Sequence, residues 1–259
     1  MITIWDWFEK YMPINERYRL IKEAGFDGLM MWWSNEFGRD IFGKDDYRNG
    51  PKIACEMGLF IENIHVPVQN ANKLWLDNLE GESQAGCYRQ CVKDCADFDI
   101  PTMVLHLPSE DNLYNLLGLD RMKRIAELAE HNGVNVALEN LHNLPSLAYI
   151  LEQVDSQRIG FCYDSGHHYR YYPDVDLLSK YGERLMALHL HDNNGSNGQH
   201  GLPYDGDIDW GITMKNIAAT SYTGATALEP MKWDYENLTV EEFLRIAFKK
   251  AKSLELLRI

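Results

Sequence analysis

Positive charge is scarce in this chain. Lys and Arg number 25 against 39 Asp and Glu, which leaves 259 residues with a formal net charge of −14. That field repels polyanions, so nucleic acid is a poor partner on electrostatic grounds. Long apolar runs are missing as well: none approaches the roughly 20 residues needed to span a bilayer, which argues against a membrane partner. The amino terminus, Met1-Ile2-Thr3-Ile4-Trp5-Asp6, has no basic n-region, and a cytoplasmic location is the expectation. Cysteine is sparse at five residues, and Cys87, Cys91 and Cys95 recur at i, i+4, i+8, one stripe of a helix. The spacing predicts core packing rather than a disulfide framework or a thiolate cluster. Gly-x-Ser-x-Gly and a Walker loop are both absent, which argues against acyl-enzyme hydrolysis and a nucleotide cradle.

What is present is a regular alternation. The chain is 45% hydrophobic, and at this length it can bury one large core, so a single domain over residues 1–259 is expected. Ile2–Trp5 reads as a strand, residues 15–24 have helical spacing through Tyr18, Leu20, Ile21 and Ala24, and residues 28–33 are apolar again. Further strands are expected at 59–66 and 102–107 and in the runs ending at Glu139, Asp164, His189 and Glu229. Helices are expected at 84–98, 112–131, 147–154, 175–181, 212–220 and 240–257. Residues 34–49 are polar and contain glycine, which predicts a long loop and a short helix over the mouth. Eight strand-like runs, each followed by a helix-length segment, demand a parallel sheet with right-handed crossovers. The expected fold class is α/β, a single (β/α)8 TIM barrel.

The strand ends carry the chemistry. Val136-Ala137-Leu138-Glu139, Gly160-Phe161-Cys162-Tyr163-Asp164, Leu185-Met186-Ala187-Leu188-His189 and Ala225-Thr226-Ala227-Leu228-Glu229 each close on an oxygen or nitrogen metal ligand. A parallel barrel gathers its active site at the carboxyl ends of its strands. Buried carboxylates without partners are costly, and Lys232 is the one obvious basic partner nearby, so a divalent cation is the simpler compensation. His65 and His106 close two more strands, His167 follows Asp164 by three residues, and His200 lies in the seventh loop. Asp6 ends the first strand and is counted with this set. Trp5, Trp7, Trp32 and Trp33 end the first two strands, where they would stack on the apolar face of a sugar.

Asp164-Ser165-Gly166-His167, His189-Leu190-His191-Asp192, the stretch from His200 to Trp210 and Leu228-Glu229 resemble the xylose-isomerase-like TIM barrels, from about residue 2 to 250. That superfamily includes sugar and sugar-phosphate isomerases and epimerases, hydroxypyruvate isomerases and the endonuclease IV enzymes. The resemblance implies that Glu139, Asp164, His189 and Glu229 hold one catalytic metal, and that the two glutamates also move the proton. It further places endonuclease IV zinc ligands at His65, His106, His167 and His200, but Gly198 stands where that family has Asp. The arginine that epimerases carry a few residues after the His189 motif is also missing, since Asn193-Asn194-Gly195-Ser196 occupies the loop.

Ketose isomerisation or epimerisation needs a proton removed beside a carbonyl and a stabilised enediolate, which two carboxylates and a divalent ion supply. Glu139 and Glu229 are expected to face each other across the mouth, with His167 on a substrate oxygen and Trp5, Trp33 and Lys232 as substrate-binding residues. One ion is expected, with zinc, manganese and magnesium all suitable and the histidines tilting toward zinc or manganese. His65, His106 and His200 are assigned to a second ion or to substrate. Few Lys or Arg stand near Gly195, Gly198, Gly201 and Gly206, so neutral sugars or keto-polyols are favoured over sugar phosphates. The expected partner is a small carbohydrate, with self-association into a homo-oligomer left open. The alternatives are an endonuclease IV-like zinc phosphoesterase, a metal-dependent dehydratase or lyase, and a catalytically silent sugar-binding barrel.

Overall fold

The computed structural model of the chain describes residues 1–9, 12–34, 46–108, 114–196 and 198–258. Its strands are β1 (Ile2–Trp5), β2 (Gly28–Trp32), β3 (Phe60–His65), β4 (Thr102–Leu105), β5 (Asn135–Glu139), β6 (Ile159–Asp164), β7 (Leu185–His189) and β8 (Thr226–Leu228). They form one eight-stranded sheet whose order runs from β7 down to β1 and then to β8, with every paired neighbour parallel. The circle closes at Leu190. Its N–H donates to Ala227 O at 2.9 Å, and its carbonyl accepts from Glu229 N at 2.9 Å. The expected α/β fold, a (β/α)8 TIM barrel, is the fold this chain adopts.

The helices surround the sheet: α1 (Ile14–Ala24), α2 (Gly50–Glu56), α3 (Leu79–Asp97), α4 (Leu116–Asn132), α5 (Leu144–Gln153), α6 (Ser165–Tyr171), α7 (Leu177–Tyr181), α8 (Trp210–Ala218) and α9 (Val240–Leu257). Several begin earlier than apolar periodicity indicates, because polar caps rather than apolar residues set their starts. Asn78 Oδ1 accepts from the N–H groups of Glu80 and Gly81 and starts α3. Asn143 does the same for α5 through Ser146 N. Helix α6 has no apolar stripe, and it forms where Asp164 Oδ1 accepts from His167 N at 2.6 Å. Most of the loop and short helix expected over the mouth falls in residues 35–45, outside the described residues. So do residues 112–113 of the helix expected at 112–131.

Strand side chains alternate between two cores. Residues such as Val136, Leu138, Phe161 and Leu188 face outward into the large core under the helices. Val104, Ala137, Cys162 and Ala187 form a separate, fully buried group in the lumen. Each of these four stands two residues before His106, Glu139, Asp164 or His189, so one pleat places those four groups a layer higher, at the mouth. On α3, Cys91 and Cys95 are buried and Cys87 is half-buried, as the core stripe requires.

Asp6 does not join the mouth. Its carboxylate is fully buried and accepts from Trp32 N and from the Tyr18 hydroxyl, both at 2.8 Å, while Arg17 donates to its backbone carbonyl. Burial pushes its pKa up to about 6, against the bonds from Trp32 and the charge of Arg17. A folded pKa above the unfolded value near 3.8 contributes stability below about pH 3.8 that is lost as pH rises through about 6. The gap corresponds to about 3 kcal/mol. Asp6→Asn keeps an acceptor for Trp32 N, so its unfolding free energy is expected to gain on wild type by up to about 3 kcal/mol between pH 4 and pH 7. Denaturant titrations at both pH values check this, and a difference that does not change with pH would refute it.

Candidate metal centre

Each candidate ligand is delivered by strand geometry. Glu139, Asp164 and His189 are the last residues of β5, β6 and β7, and Asp164 pairs in register with His189. Glu229 follows β8, and the closing bond to Leu190 O holds its backbone. One ligand atom from each of Glu139, Asp164, His189 and Glu229 lies within 4.8 Å of the others, and all four residues are buried. His189 Nδ1 is 3.2 Å from Glu139 Oε2 and 3.5 Å from Glu229 Oε2. Neither ring nitrogen of His189 has a hydrogen-bond partner among the described residues.

Those distances suit donors sharing a cation. Ligands about 2.1 Å from one divalent ion stand roughly 3.0–3.5 Å from each other. Close approach of ring nitrogen and carboxylate oxygen without an aligned N–H means that the lone pairs converge. The electrostatics agree. Burial raises the Glu229 pKa well above the carboxylate range, and the nearby charges of Glu139 and Asp164 add to it. Burial also opposes ionisation of Glu139 and Asp164, but the imidazoles of His106 and His189 around the first, and of His167 and His191 around the second, outweigh it and hold both low. Among the described residues the ion pairs of these three carboxylates run only to histidines. Lys232 is not their counter-charge: its ammonium pairs with Glu9 at 3.1 Å. The donor set therefore fits a divalent ion.

Glu139 is the hub of a larger cluster. Its Oε2 lies 3.3 Å from His65 Nε2 and 3.2 Å from His106 Nε2, and its Oε1 lies 3.0 Å from His167 Nδ1. His65 Nδ1 lies 3.0 Å from Val66 O, which can only accept, so Nδ1 carries a proton and the other ring nitrogen, Nε2, faces Glu139. Burial lowers the His167 pKa, but Asp164 and Glu139 reverse this and lift it to about 9. His200 is half-buried and stacks on His191 with centroids 4.0 Å apart.

A chamber of about 200 Å³ opens onto this cluster, walled by Trp5, Trp7 and Trp32 opposite polar groups that include His167 and Glu229. Trp7 and Trp32 pack at 4.9 Å between centroids, and Trp5 stacks on His65 at 5.7 Å. Trp5 Nε1 is buried with no hydrogen-bond partner among the described residues. Larger hollows of about 410 and 600 Å³ lie beside α7 and α8 and hold none of the four ligands. Trp33 requires a correction. It follows Trp32 by one residue, so the pleat turns it to the opposite face, where its Nε1 donates to Asp94 at 2.8 Å and its ring meets Tyr47 and Phe98.

His191 is a site residue that the strand-end reading overlooks. Its Nε2 lies 3.1 and 3.2 Å from the two Asp164 oxygens, and its backbone is tied to Ser165 Oγ. Gly166 makes this possible, because a Cβ there would lie 1.9 Å from His191 Cε1. The available signal was the His-x-His spacing, since period two puts His191 on the same face as His189. Asn140 is also part of the frame, exchanging bonds of 2.8 and 2.9 Å with the Asp164 backbone. Asp192 orders the seventh loop by accepting from Tyr204 N, Ile208 N and Trp210 Nε1.

The chain is 29% identical over 266 positions to the uncharacterized protein y4fM of Sinorhizobium fredii, covering 85% of this chain and 83% of that protein. Among solved structures it is similar to D-psicose 3-epimerase with D-tagatose from Clostridium cellulolyticum H10, with TM-score 0.80 and 16% identity over 99% of both chains. It is also similar to the IOLI protein with a binding zinc atom, with TM-score 0.81 and 15% identity over 98% of this chain and 97% of that one. At such identities the likeness is one of fold. The family model for the xylose isomerase-like TIM barrel matches residues 18–247, and the chain belongs to that family.

Proposed function

We propose that this protein is a metal-dependent isomerase or epimerase of a sugar, keto-polyol or sugar phosphate, with Glu139, Asp164, His189 and Glu229 holding one divalent ion. The observation that carries the reading is the buried convergence of these four donors, with neither His189 ring nitrogen hydrogen-bonded among the described residues. The sugar epimerases among the structural neighbours support it. Zinc, manganese or magnesium would supply electrostatic stabilisation of negative charge developing at the substrate carbonyl. Glu139 and Glu229 take and return the proton on the adjacent carbon. His167 holds a substrate hydroxyl or carbonyl oxygen. The tryptophan wall covers the apolar face of the sugar and excludes water. A small carbohydrate is the partner in this reading. Among the described residues no helix is long and apolar enough to cross a membrane.

The test is incubation with a panel of ketoses in deuterated water, with each metal added in turn. Deuterium entering beside the carbonyl, with skeleton and hydration intact, is the expected result. Loss of water would favour a dehydratase or lyase instead, and no label with any sugar and metal would leave a silent sugar-binding barrel.

A second reading has its own observation. His65 Nε2 and His106 Nε2 both face the same Glu139 oxygen, at 3.3 and 3.2 Å, and these three residues can hold a second ion. A two-ion centre suits phosphoester hydrolysis. His65→Ala is then expected to lower the metal content from two ions per chain to one, counted by plasma mass spectrometry. One ion in both proteins would exclude the second site.

A further inference from the structure

A second hollow of about 90 Å³ shares His167 and His200 with the aromatic chamber. Its other walls include Arg170 and Tyr171 of α6, His191, and Asn193 and Gln199 of the seventh loop, and among the described residues no carboxylate lines it. In a chain of net charge −14, Arg170 stands in this described lining without an acidic neighbour there, while the nearby Asp164 is already engaged by His191 and His167. Arg170 Nη1 donates to Gly195 O at 3.0 Å, and the guanidinium lies over the Tyr171 ring at 5.2 Å. These contacts hold the guanidinium plane and leave its side edge unused. Nε is buried with no partner, and no described residue bonds Nη2. A buried guanidinium N–H without a partner is costly, and the Nε–H/Nη2–H edge matches two oxygens of one carboxylate or phosphate. The charge of Arg170 also acts on the His167 ring, which places the two hollows in electrostatic contact.

We infer that the substrate carries an anionic terminus, a phosphate monoester or a carboxylate, and that Arg170 binds it side-on in this hollow while the carbonyl end lies at Glu139 and Glu229. The position of the carbonyl end rests on the isomerase or epimerase reading; the anion site stands on Arg170 and the hollow alone. Sequence reasoning disfavoured a sugar phosphate because few cations stand near the glycines of the seventh loop. The cation comes instead from α6, 25 residues away along the chain.

The test is calorimetric titration of the full-length chain, as purified, with glycerol, glycerol 3-phosphate and D-glycerate. One anion is expected to bind at least about tenfold more tightly than glycerol, and Arg170→Gln to lose about tenfold or more of that preference. Arg170→Lys keeps the charge without the fork and is expected to retain part of it. Preference for the phosphate identifies a phosphorylated substrate, and preference for glycerate a hydroxy acid. Equal binding of all three probes by wild type overturns the proposal. So does an anion preference that survives intact in Arg170→Gln, because the anion then sits elsewhere. Label exchange on neutral ketoses by a protein without the preference would sink the anion site and leave the isomerase reading standing. Arg170-dependent anion binding without any turnover would do the reverse.

Discussion

Glu229→Gln is expected to lower turnover by about 10²–10⁴-fold, the range that a general acid–base group contributes. The amide keeps the shape of the side chain, and the backbone bond to Leu190 O is untouched, so position is preserved. What is lost is the ability to accept a proton and one unit of ligand charge. The same change relieves repulsion in the metal-free protein, because burial and the charges of Glu139 and Asp164 all disfavour ionised Glu229. With a chelator present, the variant is therefore expected to melt no lower than wild type. That pairing separates a chemical defect from a folding defect. Near-normal kcat in Glu229→Gln would remove this residue from the mechanism, and a lowered melting point under chelation would trace the loss to structure.

Chelation is expected to have the second large effect. An ion present at 100 to 1,000 times its dissociation constant stabilises the folded state by about 3–4 kcal/mol, which for a chain of this size is about 5–15 °C in Tm. The buried acids Glu139, Asp164 and Glu229 are expected to place that dependence at the mouth of the barrel. Thermal unfolding with and without EDTA, followed by readdition of manganese or zinc, measures it. Asp164→Asn keeps an oxygen to cap α6 through His167 N while losing the ligand charge, so it is expected to show little response to chelator. An unchanged Tm in wild type, with no ion bound under zinc, manganese or magnesium, would make a sugar-binding barrel without catalysis the better account.

Local pattern predicted correctly wherever one element settled the outcome. The runs ending at Glu139, Asp164 and His189 are strands with those residues last, because an apolar run stops where a polar group must reach the mouth. The helix starts at Leu79 and Leu144 were less legible, since Asn78 and Asn143 define them by side-chain bonds that leave no apolar periodicity. Helix α6 was hidden for the same reason, and with it the placement of Arg170 beside Gly195.

The sequence alone determined the alternation of strands and helices, the eightfold count, and the residue types brought to the strand ends, because pleat and helix periods act over a few neighbouring residues. Tertiary structure decided which of those residues meet. It turned Trp33 onto Asp94 and away from the aromatic chamber, and buried Asp6 against Trp32 and Tyr18. It paired Lys232 with Glu9, and set His191 against Asp164 through the space left at Gly166. Most of these contacts join residues far apart in the chain, so no local pattern encodes them and their geometry exists only in the folded barrel.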